Sequence, residues 1–178
     1  MERLSLHQRL RVTRLHEELA LQFDPNLADT WRREQWRDGW AAWLRSRRWD
    51  WWATLTWRRE LGDEIAAGLD VEQWLRKLRA AAPGAAAAVS IERGKLTGRL
   101  HAHALVFTAG GLDAERLRDE WWRWGQMHVE PFRPFRFSSK PQQRGKAARY
   151  LVKEPENVEL HGLPPAYRPR RQRPGSLA

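Results

Sequence analysis

The stretch Ser90–Phe107, SIERGKLTGRLHAHALVF, decides how this chain folds. Its second half alternates. Leu100, Ala102, Ala104 and Val106 are apolar, and His101 and His103 fall between them. Successive side chains of a β-strand point to opposite faces, so the pattern predicts a strand with its apolar set under helices and both imidazoles on the other side. Upstream, Ala86–Arg93 reads as a partner strand, and Gly94–Gly98 supplies turn residues. Residues opposite each other in an antiparallel pair share a face. Glu92 lies an odd number of positions from each histidine. A loop with an even residue count, such as a two- or four-residue turn, therefore sets it beside them. An odd loop sends it to the wrong face. Two neutral imidazoles and a carboxylate suit a divalent ion such as Mn²⁺ or Mg²⁺. The His-x-His pair by itself is weak, because two surface histidines on a half-solvated strand share the same spacing.

Composition narrows the partner. The 178 residues carry 32 Lys+Arg against 22 Asp+Glu, a formal net charge of +10. That excess points to a polyanion, and nucleic acid is the natural one. There are no cysteines, which excludes disulfides and thiolate metal sites and fits a reducing cytoplasm. No apolar run is long enough to span a bilayer, and the N-terminus lacks the apolar core of a signal peptide, so no membrane partner is expected. Of the 12 tryptophans, many belong in a core, but tryptophan beside arginine also stacks on unpaired bases.

Taken in order, residues 3–22 read as an amphipathic helix with Leu10, Leu15, Leu19 and Phe23 among its apolar positions, broken by Asp24-Pro25-Asn26. Thr30–Arg48 reads as a second helix, with Trp36, Trp40, Trp43 and Leu44 at helical spacing and arginines opposite. Trp51–Trp57, WWATLTW, is strand-like, with Trp52, Thr54 and Thr56 on one face. Charged and glycine residues follow, and Asp70 is expected to cap a helix striped by Val71, Trp74, Leu75 and Leu78. Asp113 caps another helix, stopped at Gly125. Met127–Phe137 alternates as a strand that Pro131 and Pro134 confine to an edge. Gln142–Glu154 forms the last helix, ended by Pro155. The proline- and arginine-rich remainder is expected as an extended or disordered basic tail.

The core order is thus βαββαβ plus a helix. It predicts an α+β, ferredoxin-like or RRM-like antiparallel sheet with helices on one face. The chain divides into a Trp/Arg-rich helical extension (1–48), a core domain (49–155) and a basic tail (156–178).

The last helix adds a nucleophile candidate. Tyr150 lies three residues before Lys153 and four before Glu154, with Lys146 one turn earlier, so all share a face. A phenol is a poor nucleophile at neutral pH, since its pKa is about 10. A nearby metal or cation makes it useful.

With these residues in view, the chain resembles the HUH endonuclease superfamily, and within it the rolling-circle replication initiators (Rep proteins) that use a single tyrosine. A hydrophobic strand with threonines matches WATLTW at 52–57. The His-hydrophobic-His strand preceded by Gly-Arg matches GRLHAHALV. Tyr-x-x-Lys on a helix matches YLVK at 150–153. The resemblance implies that His101, His103 and Glu92 hold the metal. It implies that Tyr150 attacks a phosphodiester of single-stranded DNA, forming a 5′-phosphotyrosine and freeing a 3′-hydroxyl, with Lys153 steadying the phenolate or phosphate. Thr54, Thr56, Arg99, Lys146 and Arg149 become candidates for DNA contact or support of the site. The implied partners are single-stranded DNA or an origin hairpin, and beyond it the host replication machinery.

Departures from related patterns are informative. Glu154 and Lys146 stand where a second tyrosine would be in the two-tyrosine phage initiators. No Walker-type Gly-x-x-x-x-Gly-Lys-Ser/Thr is present, so no attached helicase is expected. Relaxases place the tyrosine before the histidines. Single-tyrosine transposases share the order seen here, but take their third metal ligand from the tyrosine helix. Glu154 is that alternative ligand, and the rigid hairpin favours Glu92. A non-catalytic RRM-like binding module is a further alternative, though it would carry stacking rings where His101 and His103 stand.

Overall fold

The computed structural model describes residues 25–94, 97–132, 146–154 and 157–166. The expected helix over 3–22 and Tyr167 lie outside them. The elements in chain order are α1 (Pro25–Arg45), β1 (Trp51–Trp57), α2 (Glu64–Ala81), β2 (Ala86–Arg93), β3 (Leu100–Phe107), α3 (Ala114–Trp121), β4 (Gly125–Pro131), α4 (Lys146–Leu151) and β5 (Val158–His161). The strands form one antiparallel five-stranded sheet in the order β4-β1-β3-β2-β5. This is the α+β architecture the sequence predicts, compatible with a ferredoxin-like fold.

One face is a conventional core. Ala53, Leu55 and Trp57 of β1, and Leu100, Ala102, Ala104 and Val106 of β3, meet Val71, Trp74, Leu75 and Leu78 of α2 and Leu117 and Trp121 of α3. Trp57 packs edge-on to Trp121 with centroids 5.3 Å apart, and Trp74 meets Trp121 at 5.9 Å. Burying each large side chain contributes about 1.5–3 kcal/mol. Three of the twelve tryptophans are thus almost wholly buried in this layer.

The histidine face is covered at one end only. Ala86, Ala88, Leu105 and Phe107 lie under Ala41, Leu44 and Trp49 on one side and Ala148, Leu151 and Val152 on the other. The helices α1 and α4 therefore cap this end of the sheet, and the sheet's other face is not left bare throughout. The Trp49 indole donates to the Leu44 carbonyl at 2.9 Å, satisfying an otherwise orphaned acceptor at the end of α1.

Several boundaries differ from expectation. The helix α2 begins at Glu64, not Asp70. Asp63 is its cap and accepts from Ala66 N at 2.8 Å. Asp70 instead lies buried inside the helix and accepts from the Trp57 indole at 3.0 Å. Gly68, which suggested a loop, costs about 1 kcal/mol against alanine in a helix, and burial of Ala67 and Val71 along the same stripe outweighs that. Asp113 caps α3 as expected, accepting from Arg116 N at 2.8 Å. Gly125 does not stop that helix but opens β4, where a Cβ would collide with the Thr56 carbonyl. The strand β4 is an edge strand, as its prolines require. Residues expected in the basic tail supply β5, which extends the sheet beside β2.

A candidate metal and tyrosine site

The hairpin register builds the site. Glu92 pairs with His101, Ser90 with His103, and Arg93 with Leu100. Residues 94–99 form the loop, longer than a two- or four-residue turn but still even in number, so parity puts Glu92 on the histidine face. Gly98 takes a φ of 66° there, a left-handed turn conformation that glycine adopts without strain. From the other side β1 sets Thr54 opposite His103 and Thr56 opposite His101.

Glu92, His101 and His103 present ligand atoms all within 4.8 Å of one another. Glu92 Oε1 lies 2.9 Å from His101 Nε2 and 3.4 Å from His103 Nε2. His103 Nε2 is buried and makes no aligned hydrogen bond. Its Nδ1 sits 3.2 Å from Thr54 Oγ1. Donation of Nδ1–H to that hydroxyl leaves Nε2 with its lone pair, the tautomer a metal needs. An orphaned buried nitrogen beside a carboxylate and a second imidazole fits a divalent cation and has little other use in a core. This cluster could bind a metal ion.

The tyrosine reaches the same carboxylate. Tyr150 Oη donates to Glu92 Oε1 at 3.1 Å, and Lys153 Nζ lies 3.4 Å from Glu92 Oε2. The helix α4 ends at Leu151, and a hydrogen bond from Lys153 N to the Tyr150 carbonyl holds the lysine near. Tyr150 packs edge-on to His103, with ring centroids 4.9 Å apart, and stays 42% exposed, so a large substrate can approach it.

Electrostatics follow from this crowding. Burial pushes Glu92 upward, but the His101 hydrogen bond, Lys153, His103 and Tyr150 together hold it below the usual carboxylate range. Burial, reinforced by His101 and Lys153, brings His103 down to about 4 against the pull of Glu92. His103 is therefore a neutral imidazole at neutral pH. Burial and the Glu92 charge and hydrogen bond raise Tyr150, opposed by Lys153.

Other candidates are placed elsewhere. Glu154 accepts from Asn157 Nδ2 at 2.8 Å and is not part of the cluster. Arg99 donates to the Trp57 carbonyl at 2.8 Å. Arg149 pairs with Glu34 at 2.9 Å and Asp38 at 3.4 Å, tying α4 to α1. The Lys146 side chain lies outside the described residues. One neighbour escapes sequence reasoning. Trp52 stacks on His103 with centroids 5.4 Å apart and planes 14° from parallel, and its ring also meets Tyr150 edge-on at 6.3 Å. Strand parity puts Trp52 on the face of Thr54 and Thr56, but an aromatic strand residue reads first as core.

The fold and site thus define an α+β protein with a metal-type donor set and a tyrosine sharing one carboxylate. Residues 50–155 match the family model for the replication-associated protein ORF2, and the chain belongs to that family. Membership implies nucleic-acid binding and a role in replication. No curated protein matches the chain in sequence. Among solved structures, the hypothetical protein ORF119 from Sulfolobus islandicus rod-shaped virus 1 is similar at 15% identity and a TM-score of 0.43, covering 74% of this chain and 97% of that one. Among the described residues no helix is long and apolar enough to cross a membrane.

Proposed function

We propose that the protein is an HUH-type endonuclease that nicks and rejoins single-stranded DNA and so initiates rolling-circle replication. The observation that carries this reading is the shared carboxylate: Glu92 Oε1 lies 2.9 Å from His101 Nε2 and 3.1 Å from Tyr150 Oη. A tyrosine hydroxyl held at a metal-type donor set is what phosphotyrosine chemistry needs and what a binding module does not.

Glu92, His101 and His103 would hold Mn²⁺ or Mg²⁺, which supplies Lewis-acid polarisation of the scissile phosphate when bound. Thr54 orients His103. Tyr150 Oη attacks phosphorus, forming the O–P bond of a 5′-phosphotyrosine while the bond to the 3′ oxygen breaks. The phenolic proton leaves by way of Glu92 Oε1, which already accepts it, and the departing 3′ oxygen takes a proton from water. Lys153 stabilises negative charge on Oη or the phosphate. Reversal by a 3′-hydroxyl rejoins the strand. The substrate is single-stranded DNA or an origin hairpin, read in the cytoplasm alongside host replication machinery.

The test is direct. Labelled single-stranded oligonucleotides incubated with the protein and Mn²⁺ should yield a covalent protein–DNA adduct, lost with chelator. No adduct on any origin-bearing strand would overturn the reading. Glu154, turned toward Asn157, gives the transposase alternative no support.

A further inference from the structure

A second feature lies at the end of β1 where Thr56 pairs with His101. Immediately beyond it, Arg58 N donates to the Trp124 carbonyl at 2.8 Å, which brings the loop after α3 against the strand end. Trp122 in that loop is 65% exposed. The Arg58 guanidinium lies over its ring, 4.8 Å from the centroid. Beside it, Arg123 and Lys77 lie 4.9 and 5.4 Å from the Trp124 centroid. Arg58, Arg59, Asp70, Gln73, Arg123 and Trp124 line an adjoining cavity of about 580 Å³. Asp70, its carboxylate, is buried and engaged by the Trp57 indole and Arg59. Among the described residues neither Arg58 nor Arg123 has a carboxylate partner, so their charge faces solvent.

We propose that Trp122, Arg58 and Arg123 form a second contact for single-stranded nucleic acid, a base stacked at Trp122 and its phosphates held by the two arginines. An exposed indole costs solubility and contributes nothing to the core, and an arginine held over it makes a flat cationic platform. That combination matches the π-face and phosphate of an unpaired nucleotide. An acidic protein partner would use the arginines but has no need of the ring. A duplex would use the arginines too, but keeps its bases stacked within itself. Two residues of extended chain span about 7 Å, so Arg58 is close enough to Thr56 for one strand to cross both platform and site. The proposal rests on the single-strand substrate proposed above, but not on the nicking chemistry.

Binding is measured in chelator with the full chain, using a labelled single-stranded oligonucleotide and the duplex of the same sequence. Trp122→Ala should weaken single-strand binding on the order of 10-fold and leave duplex binding nearly unchanged. Trp122→Phe, which keeps a ring, should retain most of the affinity. Arg58→Ala and Arg123→Ala should weaken both ligands and reduce the slope of log affinity against log salt by about 0.7 each on single strands. Thermal unfolding of each variant checks that the fold is intact. Unchanged single-strand affinity for Trp122→Ala, or equal losses on single strand and duplex, overturns the platform. A platform that passes while the parent protein forms no adduct leaves it standing and sinks the nicking reading alone.

Discussion

The two faces of the sheet are made by the same strands and do opposite work. In β3 the even-numbered residues from Leu100 to Val106 are buried against α2 and α3, while His101 and His103 turn to the other side. In β1 the same division separates Ala53, Leu55 and Trp57 from Trp52, Thr54 and Thr56. The first face is apolar, and nearly every group on it is interchangeable with another of similar volume. The second holds buried polar atoms whose positions are set to fractions of an ångström by backbone pairing. Stability thus comes mainly from one face and chemistry from the other. The rigidity of the first fixes the geometry of the second.

The sharpest way to test that division is Tyr150→Phe. It removes one hydroxyl from the chemical face and no apolar contact. Adduct formation should vanish while the thermal midpoint and DNA affinity stay near those of the parent. Full cleavage by this variant would end the assignment of Tyr150. Tyr167→Phe serves as the control and should be silent.

On the opposite face, Leu78→Ala should cost about 2–5 kcal/mol in chemical denaturation, since Leu78 is fully buried between α2 and the sheet. Where the variant remains folded, its nicking rate should match the parent. A nicking defect larger than the unfolded fraction explains would show that the faces are coupled.

Glu92→Ala discriminates within the chemical face. Calorimetric titration of Mn²⁺ should show affinity reduced about 10-fold or more, since loss of a direct ligand should exceed a typical indirect one. Glu154→Ala should change it little. The reverse ranking would favour the transposase reading. Thr54→Val, which removes only the hydroxyl beside His103 Nδ1, should fall between the two.

The smallest effect concerns pH. His103 titrates at about 4 in the fold, below its ordinary 6.5. As pH falls, the unfolded chain therefore binds this proton first. Stability that is complete above pH 6.5 should decline through the window down to about 4, as the folded value is reached. Glu92, also depressed, adds a loss at the acid end. Thermal melts of the metal-free protein across that window should show a slope that flattens in His103→Gln.

How much of this is legible in the sequence depends on distance along the chain. The shared face of Glu92, His101 and His103 follows from strand parity once the loop is even, and Asp113 is readable as a cap because its partner, Arg116 N, is three residues away. Asp70 misleads because it has the composition of a cap, while its actual partner, the Trp57 indole, lies on another element. Gly125 carries a stop signal whose real cause, the closeness of the Thr56 carbonyl, is a contact between strands. The tail gives no sign of β5, since a four-residue edge strand is stabilised by its neighbour and not by its own pattern.

By itself, the sequence determined the alternation of β1 and β3, the apolar stripes of α2 and α3, the order of the elements and the positive charge that implies a polyanion. These rest on local periodicity and composition, which a chain carries before it folds. Only the tertiary structure decided that Tyr150 Oη and His101 Nε2 meet at one oxygen of Glu92, that Trp52 backs His103, and that α1 and α4 close one end of that face. Those contacts join residues dozens of positions apart, and their distances depend on how whole layers pack, which no local pattern encodes.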